Sequence, residues 1–240
     1  NSGTVLAKEE FAVSGDVLQS REEIAGSSMP NLELHYTEWS SSYTPADPIH
    51  DSYHEAAYVL QKLKQIGDAA NSMSYWVFTD IFEEPGPRFE PFHGGFGMLT
   101  IQGINKPVFY AYQFLNLLGN IELANNDAAS WACKDAEGNL QVLAWDYTYT
   151  LPDSVNNQQY YIRDLPANVK GKLKVNVTGV PDGDYSLEVY KVGYRSNDAY
   201  TSYVDLGRPD QLSKQQVEQI KKLNNGAPVS TEIVNVKPGS

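Results

Sequence analysis

Apolar and polar positions in the first half of the chain follow two alternating periods. Stretches with an apolar residue every three or four positions predict amphipathic helices, and short β-rich runs between them predict buried strands. Proline and glycine separate the segments, as at Met29-Pro30-Asn31 and at Gly67. The predicted order is a helix at 14–28, a strand at 32–38, a loop at 40–51, a helix at 51–66, a strand at 74–79, a loop at 80–105 and a helix from Pro107 to Gly119.

This alternation of strands and helices indicates an α/β architecture with parallel strands. Each predicted strand is followed by a polar loop and a helix, which is the repeating unit of a (β/α)8 TIM barrel. About two of the eight units fit here. Residues 1–124 are therefore predicted to form the C-terminal part of such a barrel.

After residue 125 the apolar period changes to two, which is typical of half-buried antiparallel strands. One helix interrupts this pattern at 214–224, where Ser213 and Gln216 have the spacing of a capping box and Val217, Ile220 and Leu223 form the apolar side. Residues 125–240 are predicted to form an antiparallel β-sandwich. The predicted strands are 142–145, 172–178, 185–189 and 231–236.

Composition narrows the possible partners of the chain. The 240 residues carry a net charge of −12, which argues against nucleic-acid binding. Apolar runs fall short of the roughly 20 residues needed to span a bilayer, so no membrane partner is predicted. Cys133 is the single cysteine, which excludes an intrachain disulfide and a cysteine-based zinc site. No targeting segment is visible, and the compartment stays open.

The most informative stretch is the predicted strand that ends in Glu38 and Trp39. Parallel-barrel glycosidases hold their nucleophilic carboxylate at the C-terminal end of a strand. Most glutamates at such positions simply face solvent. At period two, however, Glu38 continues the apolar set Leu32, Leu34 and Tyr36, so we expect it to point where those side chains point.

A nucleophilic carboxylate has to stay ionised, so Glu38 needs hydrogen-bond donors nearby. Thr37, Ser40 and Tyr43 are the candidate donors. A retaining glycosidase also needs a second carboxylate. The sequence before Glu38 is too short to supply the strands that would carry it.

The second predicted strand ends in another acidic run. Trp76 is a core residue by default, but at a barrel mouth it would form the apolar floor under a sugar ring. Glu83 and Glu84 would then accept hydrogen bonds from sugar hydroxyls. The alternative is a solvated acidic turn before Pro85, and the residues alone favour that alternative.

Histidines offer one further pattern. His50 and His54 have the i, i+4 spacing that places two metal ligands on one helix face, but a site needs a third ligand and no Glu follows His50. We therefore predict no metal and no cofactor. His93, in a glycine-rich run, is expected to shape that loop or to contact substrate. The glycines follow no strand-then-helix phosphate pattern, which argues against a nucleotide loop.

Several ordered motifs over about residues 14–120 resemble glycoside hydrolase family 39. The family contains β-xylosidases and α-L-iduronidases, and this chain is more similar to the xylosidases. The resemblance implies a TIM barrel followed by a β-sandwich and a retaining mechanism. The motifs are Thr37-Glu38-Trp39-Ser40-Ser41-Ser42-Tyr43, His50-Asp51, Ala56-Ala57-Tyr58, Ser74-Tyr75-Trp76-Val77-Phe78-Thr79-Asp80-Ile81-Phe82-Glu83-Glu84 and Phe92-His93-Gly94-Gly95-Phe96-Gly97.

The resemblance also implies roles for individual residues. Glu38 lies where the family has its nucleophile, at the end of barrel strand seven, and Tyr43 matches a tyrosine near it. Trp76 lies on strand eight, where the family has an aromatic residue at the sugar site, and a cis peptide bond is expected after it. Glu83 and Glu84 match an acidic pair that binds sugar hydroxyls, with Glu84 favoured if one of them does so alone.

One departure from the family is large. The family's general acid lies in an Asn-Glu-Pro motif after strand four, and that motif does not occur in this sequence. The resemblance therefore implies a C-terminal portion of the enzyme without its first six or so barrel units. We expect the chain to be inactive alone, or to need the missing barrel segment as a partner to act on xylo-oligosaccharides or other β-glycosides.

Two other functions stay open. An α-L-iduronidase would need a basic clamp for the uronate carboxylate, and Arg88 is the basic residue near the acidic motifs. A carbohydrate-binding or purely structural module built on the β-sandwich is the alternative from a different class.

Overall fold

The computed structural model describes residues 10–82, 86, 88–148, 156–168 and 171–237. Each described helix is too short or too polar to span a lipid bilayer. The α-helices are α1 (Ala12–Ala25), α2 (His54–Ile66), α3 (Pro107–Asn116), α4 (Asn157–Tyr160), α5 (Ala199–Asp205) and α6 (Lys214–Leu223). Short 3-10 helices span Pro48–Asp51 and Gly67–Ala69. The strands are β1 (His35–Trp39), β2 (Ser72–Tyr75), β3 (Ile121–Glu122), β4 (Ser130–Lys134), β5 (Leu140–Ala144), β6 (Gly183–Val189) and β7 (Ser230–Val236).

The first half consists of two βα units, as the sequence predicts. β1 and β2 pair in parallel, α2 connects them, and α3 follows β2. The apolar face of α2 packs on this sheet and on α3, with Val59 and Val108 both fully buried beside Trp39. On the same helix, Ala56 is buried and Ala57 is half buried. The arrangement is consistent with part of a TIM barrel.

The second half contains two antiparallel sheets. β3, β4 and β5 form one sheet, and its Trp131 and Leu143 pack against Leu60 of α2 and Ala111 of α3. β6 and β7 form a separate pair. The strand predicted at 172–178 does not form among the described residues, and Leu173 in that run is 74% exposed. A β-sandwich is therefore not confirmed in the described residues, since the three-stranded sheet packs on helices.

A third core joins the two halves of the chain. Phe92 and Ile104, from the long loop after β2, pack with Val217 and Ile220 of α6. The predicted capping box at the start of α6 is confirmed. The prediction for Leu223 is wrong, since it is 65% exposed. Each i, i+3 step rotates a position by about 60° around a helix, so residues three apart leave the buried face within two steps. The domain boundary at 124–125 stays a prediction.

Candidate active site

Glu38 lies at the C-terminal end of β1, on the same edge of the sheet as the end of β2. Its side chain is exposed, whereas the next residue, Trp39, is drawn into the core. The expectation that Glu38 continues the apolar set with Tyr36 is wrong, because Tyr36 is half buried and donates a hydrogen bond to Ser20 on α1 at 3.1 Å. The cause is a shift in the pairing of β1 with β2 between Tyr36 and Trp39, which interrupts strict alternation.

Trp76 follows β2 directly and reaches the same edge. Its backbone N–H donates to the carbonyl oxygen of Trp39 at 2.9 Å, and its side chain is half buried. The peptide bond between Trp76 and Val77 is cis, which confirms the prediction. The strand predicted as far as residue 79 ends at Tyr75, because from Val77 onward the backbone bonds to the glycine-rich loop, beginning with the carbonyl of Phe96.

The donors predicted for Glu38 do not reach it. The Ser40 hydroxyl donates to the carbonyl of Ser42 at 2.8 Å, and Tyr43 is 75% exposed. Within the described residues, Thr37, Ser40 and Tyr43 make no hydrogen bond to the Glu38 carboxylate. We call Glu38, Tyr43 and Trp76 the open face.

The acidic pair Glu83 and Glu84 lies outside the described residues. Its predicted role at the sugar hydroxyls stays a prediction.

A buried ion network fixes the glycine-rich loop at 92–97. Lys106 Nζ lies 2.7 Å from Asp51 Oδ1 and 2.8 Å from Asp80 Oδ2, and all three side chains are almost fully buried. The other carboxylate oxygens accept backbone N–H groups, from Gly94 at 2.7 Å and from Gly97 at 2.7 Å. Burial alone would lower the pKa of Lys106, but Asp51 and Asp80 outweigh it and raise that pKa. We call Asp51, Asp80 and Lys106 the buried frame.

His50 and His93 also make contacts that shape this loop. The two ring nitrogens of His50 face carbonyl oxygens, of Gly94 at 2.8 Å and of Ser42 at 3.0 Å. His93 Nδ1 lies 3.0 Å from the Glu90 carbonyl, which fits the loop-shaping half of its prediction. In the part of the chain that the structure describes, no three His, Cys, Asp or Glu side chains are grouped as a metal site requires.

A cavity of about 560 Å³ lies beside the glycine-rich loop. His93 lines it, but Glu38 and Trp76 do not, so this cavity and the candidate nucleophile occupy different places. The cavity is lined by Pro45, Ala46, Pro48, Asp51, Arg88, Glu90, Phe92, His93, Gly94, Gln158, Ile162 and Tyr200.

Sequence reasoning missed the residues that position these loops. Lys106 is the N-cap residue of α3, immediately before Pro107, where the predicted helix begins. Asp80 appears in a motif, but its sequence gives no sign of an ion pair with a residue 26 positions away. Glu55, fully buried on α2, lies inside the helix predicted at 51–66, and the helical pattern gives no sign of its burial. These three residues are distinguished by the burial of their charged groups. A single sequence does not reveal which charged groups are buried.

Comparisons with known proteins extend the resemblance over nearly the whole chain. The model of glycosyl hydrolases family 39 matches residues 2–235. A β-xylosidase of Geobacillus stearothermophilus is 30% identical over 197 residues, which cover 82% of this chain and 36% of that protein. A β-xylosidase of Caldicellulosiruptor saccharolyticus is 30% identical over 194 residues, covering 80% and 38%. The chain therefore spans well under half of the length of these curated relatives.

Solved structures agree with this match. A GH39 enzyme from Xanthomonas axonopodis pv. citri superposes with a TM-score of 0.93 at 42% identity, covering 98% of this chain and 46% of that one. A monomeric β-xylosidase from Caulobacter crescentus gives a TM-score of 0.94 at 39% identity, covering 99% and 48%. The match includes the second half, where the sequence motifs are weakest. The chain belongs to glycosyl hydrolase family 39.

Proposed function

We propose that this chain carries the nucleophile half of a retaining β-xylosidase site, with Glu38 as the nucleophile. The observation that supports this most is the position of Glu38, an exposed carboxylate at the C-terminal end of a parallel strand, directly beside the strand end that carries Trp76. Active sites of TIM-barrel enzymes lie at this end of the strands. The β-xylosidase relatives support the choice of sugar.

In this proposal Glu38 attacks the anomeric carbon of a β-xyloside and the bond to the leaving-group oxygen breaks. The resulting glycosyl ester is then hydrolysed by water, so configuration at the anomeric carbon is retained. The half-buried ring of Trp76 is held edge-to-face against Phe82, with centroids 5.3 Å apart, and offers an apolar surface to the sugar. Tyr43 and His93 are proposed to contact hydroxyl groups of the sugar. Glu83 and Glu84 are proposed to do the same.

The general acid is proposed to come from outside this chain. In a retaining glycosidase the two carboxyl groups lie about 5–5.5 Å apart. The Asn-Glu-Pro motif that carries the acid in the family does not occur here. We therefore propose that the first barrel units supply it, that residues 1–124 complete a (β/α)8 barrel with them, and that residues 125–240 are an accessory β domain. The isolated chain would then be inactive.

The test compares Glu38→Gln with the unaltered sequence, in the gene product that contains this chain and in the chain alone. The substrate is an aryl β-D-xyloside, and the expected loss in kcat is about 10⁴-fold or more. Glu33→Gln is the matched control, because Glu33 is also an exposed glutamate and lies just before the same strand. A 2-fluoro-xyloside with a good leaving group should trap an ester on Glu38, detectable by peptide mass spectrometry.

Each outcome bears on a different part of the proposal. Full activity in Glu38→Gln, or an ester on another residue, would contradict the role of Glu38. Hydrolysis by the isolated chain would show that the general acid is already present. Hydrolysis of an iduronide in preference to a xyloside would favour the other family activity. Sugar binding without hydrolysis, unchanged in Glu38→Gln and Trp76→Ala, would favour a binding module.

A further inference from the structure

Glu55 is a buried carboxylate that the proposed chemistry does not use. It lies in the first turn of α2, and its side chain has no exposed surface. One oxygen, Oε1, accepts two hydrogen bonds, from the backbone N–H of Ser41 at 3.3 Å and from the hydroxyl of Tyr75 at 3.0 Å. Ser41 follows Glu38 by three residues, and Tyr75 immediately precedes Trp76.

A carboxylate is an unfavourable group to place there. Burial raises the pKa of Glu55, and the hydrogen bonds from Ser41 and Tyr75 act in the opposite direction. Burial also raises the pKa of Tyr75, and the adjacent Glu55 raises it further, so the tyrosine stays a hydrogen-bond donor. An apolar side chain of similar size would fill the site without the cost of removing a charge from water. The position therefore needs an explanation beyond packing.

The surroundings make the contact rigid. The Tyr75 ring meets Trp39 edge-to-face with centroids 6.3 Å apart and meets Tyr112 in the same way at 5.9 Å. Trp39 is buried and adjoins Glu38 in sequence. The hydroxyl of Tyr75 is thus held in place by aromatic packing, and it can present its proton to Glu55 without a large loss of side-chain entropy.

We propose that Glu55 is a positioning residue that ties the C-terminal ends of β1 and β2 together and so sets the Glu38 carboxylate relative to Trp76. The inference rests on the proposed role of Glu38. Oε1 fixes the turn after Glu38 through Ser41 and the end of β2 through Tyr75, and these two strand ends carry the nucleophile and the sugar platform. Glu55 itself touches neither substrate nor the reacting atoms.

A favourable charge at a helix N-terminus is the alternative explanation for Glu55, since acidic residues stabilise the first turn of a helix. That role is served equally well by an exposed side chain. A role at the helix N-terminus does not require full burial. It also does not require the two hydrogen bonds that Glu55 accepts from the loop after β1 and from β2. The two explanations also differ in the variants that they tolerate.

The experiment uses Glu55→Leu and Glu55→Gln in the gene product that contains this chain. Glutamine keeps the carbonyl oxygen that accepts from Ser41 and Tyr75, whereas leucine removes it at similar volume. We expect Glu55→Leu to lower kcat by about 100-fold with a much smaller change in KM, because misplacement by about 1 Å costs that much. We expect Glu55→Gln to keep most of the activity, and Tyr75→Phe to lie between the two.

A structural readout on the 240-residue chain accompanies the kinetics. Hydrogen exchange at the Ser41 amide should be faster in Glu55→Leu and close to normal in Glu55→Gln. The matched control is Asp198→Asn, another buried carboxylate, which accepts hydrogen bonds at the start of α5 from Arg195 and Thr201. It should lower stability without lowering kcat.

The results separate the inference from the proposed function. An inactive Glu38→Gln beside a fully active Glu55→Leu would overturn the inference alone. Equal losses of kcat in Glu55→Leu and Glu55→Gln would also overturn it. So would a fall in kcat in Asp198→Asn that accompanies its fall in stability, because kcat would then follow stability and not the contacts of Glu55. Full activity in Glu38→Gln would contradict the proposed function and, with it, any role of Glu55 in placing a nucleophile.

Discussion

The open face and the buried frame are built on opposite principles. Glu38 and Tyr43 of the open face are exposed and make no hydrogen bond to each other within the described residues. In the buried frame, Lys106 has two carboxylates within 2.8 Å, and both carboxylates also hold a loop backbone. The open face carries the proposed nucleophile, and the buried frame holds the glycine-rich loop.

This difference indicates which of the two regions contributes more to the stability of the fold. Charges inside the protein are costly unless each has a partner, so a buried network is sensitive to the loss of any member. Exposed side chains with few contacts contribute little to folding. We therefore expect that replacing Glu38 leaves stability nearly unchanged, whereas replacing a member of the buried frame does not.

The largest expected effect comes from breaking the buried frame. Lys106→Met leaves two buried carboxylates without their cation, and we expect a loss of about 3–5 kcal/mol in the free energy of unfolding. Urea unfolding of the purified chain measures it. Lys64→Met is the matched control, because Lys64 pairs with the exposed Glu122 at 3.7 Å, and exposed pairs contribute about 1 kcal/mol or less. Equal losses in the two variants would contradict the distinction between the regions.

Much of this architecture could be predicted from the sequence where a local pattern carries it. The helices α1, α2, α3 and α6 follow their apolar periods within a few residues, and the capping box of α6 is local chemistry. The position of Glu38 at the end of a parallel strand also followed from local pattern. The cis bond after Trp76 came from the family resemblance.

The parts that failed depend on contacts distant in sequence. β4 was missed because its residues Ser130–Lys134 mix buried and half-buried positions without strict alternation. The run 172–178 alternates well but pairs with none of the described strands. Residues of the buried frame come from three separate segments, so no window of sequence contains the ion network. Periodicity reports which face is buried, and it does not report what covers that face.

A smaller effect on the free energy of unfolding is expected from protonation of His54, whose ring packs against Tyr53 and Tyr161. Burial lowers the pKa of His54 to about 4, from 6.5. The ring stacks on Tyr53 with centroids 4.2 Å apart and meets Tyr161 edge-to-face at 5.4 Å. Between these two pKa values the unfolded chain binds more protons, so the free energy of unfolding should fall as the pH falls.

For His54 alone, the expected loss between about pH 7 and about pH 5 is about 2 kcal/mol. Urea unfolding at both pH values measures it, and His54→Gln should remove that part of the pH dependence. His35→Gln is the control, since the His35 ring is exposed. An identical pH dependence in His54→Gln and the unaltered chain would show that the folded protein accommodates a charged imidazole at His54.

The smallest effect is expected where the proposed chemistry is. Glu38→Gln, measured on the purified chain, should change the free energy of unfolding by no more than about 0.5 kcal/mol, because the Glu38 carboxylate makes no described contact that supports the fold. Urea unfolding provides the value, with Lys106→Met in the same series as the reference for a network that does support the fold. A loss above about 1 kcal/mol in Glu38→Gln would mean that the open face is coupled to the core. The separation between the residues that present chemistry and those that hold the loops would then have to be abandoned.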